Sequence, residues 1–166
     1  PQLKEMFQRY NMEYHIRPYF YEHMPDHNII GMHVDEAIYA PFYYGYGAPG
    51  NYGDRGRNLR YIEKRIIELA PHTVSVLVKA TPEAIRQRMK EDPHEEGIVK
   101  DQDIEYILQR FEEEFERSLI KNRFTIDTST TTISESLSNF VHNYGPFMTE
   151  VDKNRILARK SKKHKE

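Results

Sequence analysis

Two adjacent carboxylates, Asp35 and Glu36, close a short apolar stretch, NIIGMHVDE, at residues 28–36. Ile29, Ile30, Met32 and Val34 predict a strand there. A carboxylate pair at the end of a buried strand has a chemical use. The first can hold a hydrated Mg²⁺, and the second can orient or deprotonate an attacking group. The plain alternative is an acidic loop that follows a strand and does no chemistry. His33 falls on the same predicted strand face as Asp35 and reads as a hydrogen-bonded core histidine.

Cations come later in the chain. Arg86, Arg88 and Lys90 lie on a predicted helix over 82–90, just before a polar stretch at 91–100 with Pro93 and Gly97, a natural hinge or lid. Arg110 lies on the helix beyond it. Guanidinium groups beside a lid suit a transferring phosphoryl group, whose charge spreads over its oxygens. They could equally pair with the acidic stretch 101–116. Tyr39, Phe42, Tyr43, Tyr44 and Tyr46 offer flat apolar faces with hydroxyl edges, suited to stacking a base or sugar or to roofing a core.

The elements that must position these groups are organised around TVSVLVKATPEAIRQRM at 73–89. Val74, Val76, Leu77 and Val78 predict a strand over 73–79 buried on both faces. Thr81 then caps a helix, with Pro82 in its first turn and Glu83 where the helix dipole favours an anion. Further helices are predicted over 1–10 (Leu3, Met6, Phe7, Tyr10), around 19–23, over 57–70 (Leu59, Ile62, Ile66, Leu69), and from Ile104 through Ile107, Leu108, Phe111 and Phe115 to Leu119. Glu112, Glu113, Glu114 and Glu116 read as the solvated side of that last helix. Residues 37–53 are too rich in Tyr, Gly and Pro for a regular element. A third strand is predicted over 123–128. Thr132 and Glu135 have capping-box spacing before a helix ended by Gly145-Pro146. One more turn is expected over 150–157, and 158–166 reads as a basic, disordered tail.

The 166 residues make one domain, placed at 1–157, with 24 Lys and Arg against 26 Asp and Glu. That balance gives no global field toward nucleic acid. The absence of cysteine excludes disulfides and thiolate metal sites. No apolar run approaches the roughly 18 residues of a membrane span, and no charged-then-apolar leader is present. The expectation is a soluble, cytoplasmic protein with no membrane partner.

The stretch 28–144 resembles the later two-thirds of P-loop nucleoside and nucleotide kinases, particularly the thymidylate-kinase-like group. The pieces are the apolar stretch ending at Asp35-Glu36 (the Walker B pattern), SVLVKATPEAIRQRM, the polar lid, IEYILQRFEEEFERS, and FTIDTSTTTISESLSNF. The resemblance implies a three-layer α/β/α fold with a parallel sheet, P-loop NTPase-like, lacking its N-terminal β-α unit here. It implies ATP and Mg²⁺ as cofactors, with phosphoryl transfer to a nucleoside, nucleotide or similar small acceptor. Asp35 would hold the metal, Glu36 would act near the acceptor, and Arg86 and Arg88 would neutralise transferring charge. Tyr39, Tyr43, Tyr44 and Arg110 would bind substrate. Two departures stand out. The chain contains no GxxxxGK[ST], and it has Asp35-Glu36 where many of these enzymes have Asp-Arg or Glu-Arg. The competing expectations are a non-catalytic kinase-like binding module and an ATP-dependent enzyme acting on nucleic acid, the latter favoured only by the lysine-rich end. Unpaired strand edges would promote self-association into a homo-oligomer.

Overall fold

The protein is described by a computed structural model that covers residues 3, 6, 7, 10, 11, 14, 28–93 and 97–163. Leu3, Met6, Phe7 and Tyr10 are helical and exposed. The helix expected around 19–23 lies outside the described residues.

The first full element corrects the sequence expectation. Residues 33–43 form a helix, α1 (His33–Tyr43), where a strand was expected over 28–36. Ile30, which the strand pattern needed inside, is 87% exposed. Gly31 and Met32 both take positive φ, 67° and 53°, which turns the chain out of extended geometry before His33. Asp35 and Glu36 then fall in the first helical turn, where the dipole favours anions, and Ala37, Ile38 and Ala40 supply the buried side. The apolar residues read as period two also fit period 3.6, and packing against the neighbouring helix decides between them. Pro41 lies inside α1 and removes one of its hydrogen bonds, the amide that would donate to the Ala37 carbonyl. No regular element was expected over 37–53, but 37–43 belong to α1; only from 44 to 53 is the chain irregular, with positive φ at Gly45, Gly47, Gly50 and Gly53.

α2 (Arg55–Leu69) is capped by Asp54, whose carboxylate accepts from the Arg57 amide. It buries Leu59, Ile62 and Ile66, the core to which Ile120 and Met32 are added. β1 (Ser75–Lys79) leads through Thr81 into α3 (Pro82–Glu91), with Pro82 in the first turn and Thr81 Oγ1 accepting from the Ala84 amide, as the sequence predicts. α4 (Ile104–Glu116) follows a 3₁₀ turn at Asp101–Asp103. β2 (Arg123–Asp127) pairs in parallel with β1, Ser75 beside Arg123 and Lys79 beside Asp127. α5 (Ile133–Tyr144) starts with the predicted capping box: Glu135 donates its amide to Thr132 Oγ1 and accepts the Thr132 amide at 2.7 Å. α6 (Glu150–Lys163) extends the single turn expected over 150–157 and takes in 158–163 of the expected tail, whose residues 164–166 lie outside the described residues. Its start is fixed by a second reciprocal pair, Thr149 with Asp152, at the same three-residue spacing.

The result is an α/β fold whose sheet, among the described residues, has two strands rather than three. The register places Val76, Val78, Phe124 and Ile126 on one face and Leu77, Lys79, Arg123 and Asp127 on the other. α4 serves the second face, through Lys79–Glu112 and through Arg123, which donates to the Phe115 carbonyl. α5 serves the first through Phe140, which packs with Phe147 against Phe124. β1 is not buried on both faces: Val78 is 62% exposed, because on that face α5 lies over β2 while α4 covers only the other face of β1. Among the described residues no helix is long and apolar enough to cross a membrane.

Candidate binding groove

At the carboxyl ends of β1 and β2 the chain leaves an open groove of about 940 Å³. Its floor is apolar: Leu77 from β1, Ile85 and Met89 from α3, Ile98 from the segment after α3, and Leu108 and Phe111 from α4. α3 and α4 wall it because both connect the same parallel pair, and that crossover must pass over the carboxyl end of β1 before returning. Ligands of open α/β sheets gather at this end of the strands. One aromatic from outside the crossover reaches in. Tyr39 of α1 lines the groove and meets Phe111 edge-on, ring centroids 5.9 Å apart. Burial, with the charge of Asp35 one helical turn back, pushes its phenol above the ordinary tyrosine range.

The rim is polar and mostly acidic. Asp92, Glu105, Glu112 and Asp127 line it, with Lys79 as the lining cation. Lys79 is held by Glu112 at 3.1 Å. Asp127 lies at the carboxyl end of β2 and accepts both the amide and the hydroxyl of Ser129, which hold its carboxyl below the usual range. Ser129 in turn accepts the Thr81 amide, so the two strand ends are tied together.

The residues singled out from the sequence distribute unevenly around this groove. Arg86 lies on α3 and spans Asp101 at 2.9 Å and Glu105 at 2.5 Å, so it borders the rim while pairing with the acidic stretch. Arg88 donates to the Thr128 carbonyl and, at 3.2 Å, to its hydroxyl, which braces α3 against the end of β2. Arg110 points the other way, to Glu113 and Glu114. Tyr43 donates to Asp103 at 3.0 Å and thereby fixes α1 to the start of α4. That contact, with burial foremost, raises its phenol to about 12. Tyr44 is exposed and outside the groove. Glu36 accepts from Arg55 Nε and the Tyr46 hydroxyl, both at 3.0 Å, with the Arg55 guanidinium also over the Tyr46 ring.

Asp35 is the exception: among the described residues its carboxylate makes no hydrogen bond or ion pair, and its place in the first turn of α1 is its one structural role. It stands in the first turn of α1 and not at a strand end, so the Walker B geometry expected from the sequence is not formed. Gly31 beside it has φ 67°, the left-handed region that favours glycine, and a Cβ there would force the Asp35 carboxylate to move. Burial alone moves its carboxyl above the usual range, with no offsetting donor or cation. Such a carboxylate gains from a cation beside it. Among the described residues, however, no group of three or more His, Cys, Asp or Glu is placed to hold a metal. Asp35 therefore fits Mg²⁺ only as one carboxylate among water and phosphate oxygens, a usual arrangement for that ion. His33 is not hydrogen-bonded as expected: its Nδ1 is shut from solvent without a partner, and burial lowers its pKa to about 4.

Comparison of the chain with protein-family models, curated proteins and solved structures finds no match. The groove therefore has to be read from its own chemistry. The sequence reading missed Asp127, Thr128 and Ser129, although IDTS at 126–129 is also an apolar strand ending on a carboxylate. Asp127, unlike Asp35, does stand at a strand end, but its carboxylate is already engaged by the Ser129 amide and hydroxyl.

Proposed function

We propose that the groove at the carboxyl ends of β1 and β2 binds a flat small-molecule acceptor, and that the chain supplies the acceptor-binding and lid side of an ATP-dependent phosphotransferase. The observation that carries this reading is the position of the groove. It opens where the parallel strands end, between the two arms of their crossover, and Tyr39 and Phe111 converge in it. An apolar groove with a few convergent polar groups is the usual form of a small-molecule site.

The kinase-like order of parts supports phosphoryl transfer as the chemistry. A triphosphate needs a nest of backbone amides and a lysine, and the sequence contains no GxxxxGK[ST] to provide them. In this reading ATP is held outside the groove, and Mg²⁺ bound with it would offset charge on the phosphate oxygens. Asp35 is the residue of this chain best suited to meet the hydrated ion. Tyr39 orients the acceptor ring, and α3 with Arg86 and Arg88 closes toward it. The three-layer P-loop architecture belongs to the same proposal.

A second reading, a kinase-like module that binds without turnover, is favoured by the commitments of the charged groups. Arg86, Arg110 and Glu36 are engaged within the chain. Two experiments separate the readings. This 166-residue chain should bind nucleosides saturably by calorimetry and turn over no ATP. In a longer form carrying GxxxxGK[ST], Asp35→Asn should cut Mg²⁺-dependent turnover at least about tenfold, a loss of roughly 1.4 kcal/mol in transition-state stabilisation. Unchanged turnover in that variant leaves the binding module and removes the metal role.

A further inference from the structure

If the groove is the acceptor site, its charge decides which acceptors it admits. Four carboxylates line it against one ammonium. Glu112 is matched by Lys79, and Glu105 by Arg86, which is shared with Asp101. Arg88, the remaining cation on this side of α3, is turned to the Thr128 carbonyl and hydroxyl. Asp127 is hydrogen-bonded to Ser129 but has no ion pair among the described residues, and neither has Asp92. Arg86 and Arg88 are thus engaged within the chain, and the four lining carboxylates outnumber the one lining ammonium, Lys79, whose charge is shared between Glu112 and Asp127.

A phosphate monoester adds between one and two negative charges at neutral pH. Binding it here would place those charges beside these carboxylates, or require breaking Lys79–Glu112 or Arg86–Glu105 to free a cation. Either route leaves a like-charge contact that disfavours the anion. A ring compound without phosphate meets neither cost. Its apolar faces match Tyr39, Phe111, Leu108 and Ile98, and its hydroxyl or amino groups donate to rim carboxylates that can only accept.

We infer that the groove selects an unphosphorylated, nucleoside-like acceptor and rejects the corresponding monophosphate. This rests on the reading of the groove as an acceptor site and narrows it to one substrate class.

The test is calorimetry on the full chain with adenosine, guanosine, cytidine and thymidine, each against its 5′-monophosphate, at low and moderate salt. At least one nucleoside should bind at least about tenfold tighter than its monophosphate. The gap should shrink severalfold in Glu105→Gln, which removes one rim carboxylate and leaves Arg86 paired with Asp101 alone, and in Asp127→Asn, with circular dichroism and thermal unfolding checking that each variant is folded. The gap should also shrink as salt screens the rim. A monophosphate that binds as tightly as its nucleoside, or a gap that neither variant nor salt alters, overturns the inference while leaving the groove as a ligand site. If no member of either series binds at millimolar concentration, the acceptor-site reading itself fails and the inference falls with it.

Discussion

The two flanks of α4 solve opposite problems. On the flank toward α2, charged groups are buried and every one is answered. Glu63 and Glu114 are 2% and 6% exposed. Glu63 accepts from Arg60 at 2.6 Å, from the Ser118 hydroxyl at 2.6 Å and from the Leu119 amide at 3.0 Å. Glu114 accepts from Arg60 and, at 2.7 Å, from Arg110. On the other flank the surface is apolar, open and edged with four carboxylates, of which Asp92 and Asp127 have no ion pair among the described residues. A buried ion network whose partners are all satisfied fixes one arrangement and has no capacity left for a ligand. An apolar groove with spare acceptors has both space and unmet bonding. The difference locates rigidity on one flank of α4 and binding on the other.

The comparison is broken most directly at Glu63. Glu63→Ala leaves the Ser118 hydroxyl and the Leu119 amide without their acceptor and the half-buried Arg60 with Glu114 alone. Loss of one partner from such a network costs about 3–5 kcal/mol. An unfolding free energy from denaturant titration that changes by less than about 1 kcal/mol would mean the flank is not held by these charges.

Acid should attack the same flank. His33 faces Glu63 and Arg60, and burial holds its pKa at about 4, below the ordinary 6.5. Between these values the unfolded chain binds the proton and the folded chain does not, so stability rises with pH across that window and is lost as pH falls through it. Integrated over the window the effect is roughly 3 kcal/mol at most. Unfolding of His33→Gln followed from pH 7 to 4 should lack this component. An unchanged pH slope in that variant would assign the effect to other groups.

Smaller changes sharpen the contrast. Tyr39→Ala removes one groove-lining ring while the buried ion network stays intact. It should lower nucleoside affinity at least about tenfold and cost less than about 2 kcal/mol of stability. Equal affinity in wild type and variant would remove Tyr39 from the site. Thr132→Ala, on neither flank, should cost about 1 kcal/mol through its lost cap and leave binding untouched.

Much of this arrangement is legible in the sequence where the determinants are local. Thr81-Pro82-Glu83 specifies a helix start through three independent preferences, and the structure has it. Thr132 with Glu135 is equally self-contained. Residues 28–36 failed because their apolar spacing satisfies two periods, and the tie is broken by contacts with α2 and α4 that no local window contains. The acidic side of α4 failed differently. Glu114 stands three residues after Phe111 and seven after Ile107, on the apolar stripe, and its place there signals a buried partner; the partner, Arg60, is 54 residues away. The groove combines residues from β1, α1, α3 and α4, so its shape follows from topology and not from any one motif.

The central claim, that α4 separates a locked flank from a binding flank, is tested most directly by mapping a ligand onto it. Methyl and aromatic NMR spectra of the chain should be recorded during titration with the tightest-binding nucleoside. Shifts should be confined to Tyr39, Ile85, Met89, Ile98, Leu108 and Phe111, with Ile62, Ile66 and Ile120 unmoved. Shifts centred on the Ile62, Ile66 and Ile120 core, or spread evenly over both flanks, would contradict the account.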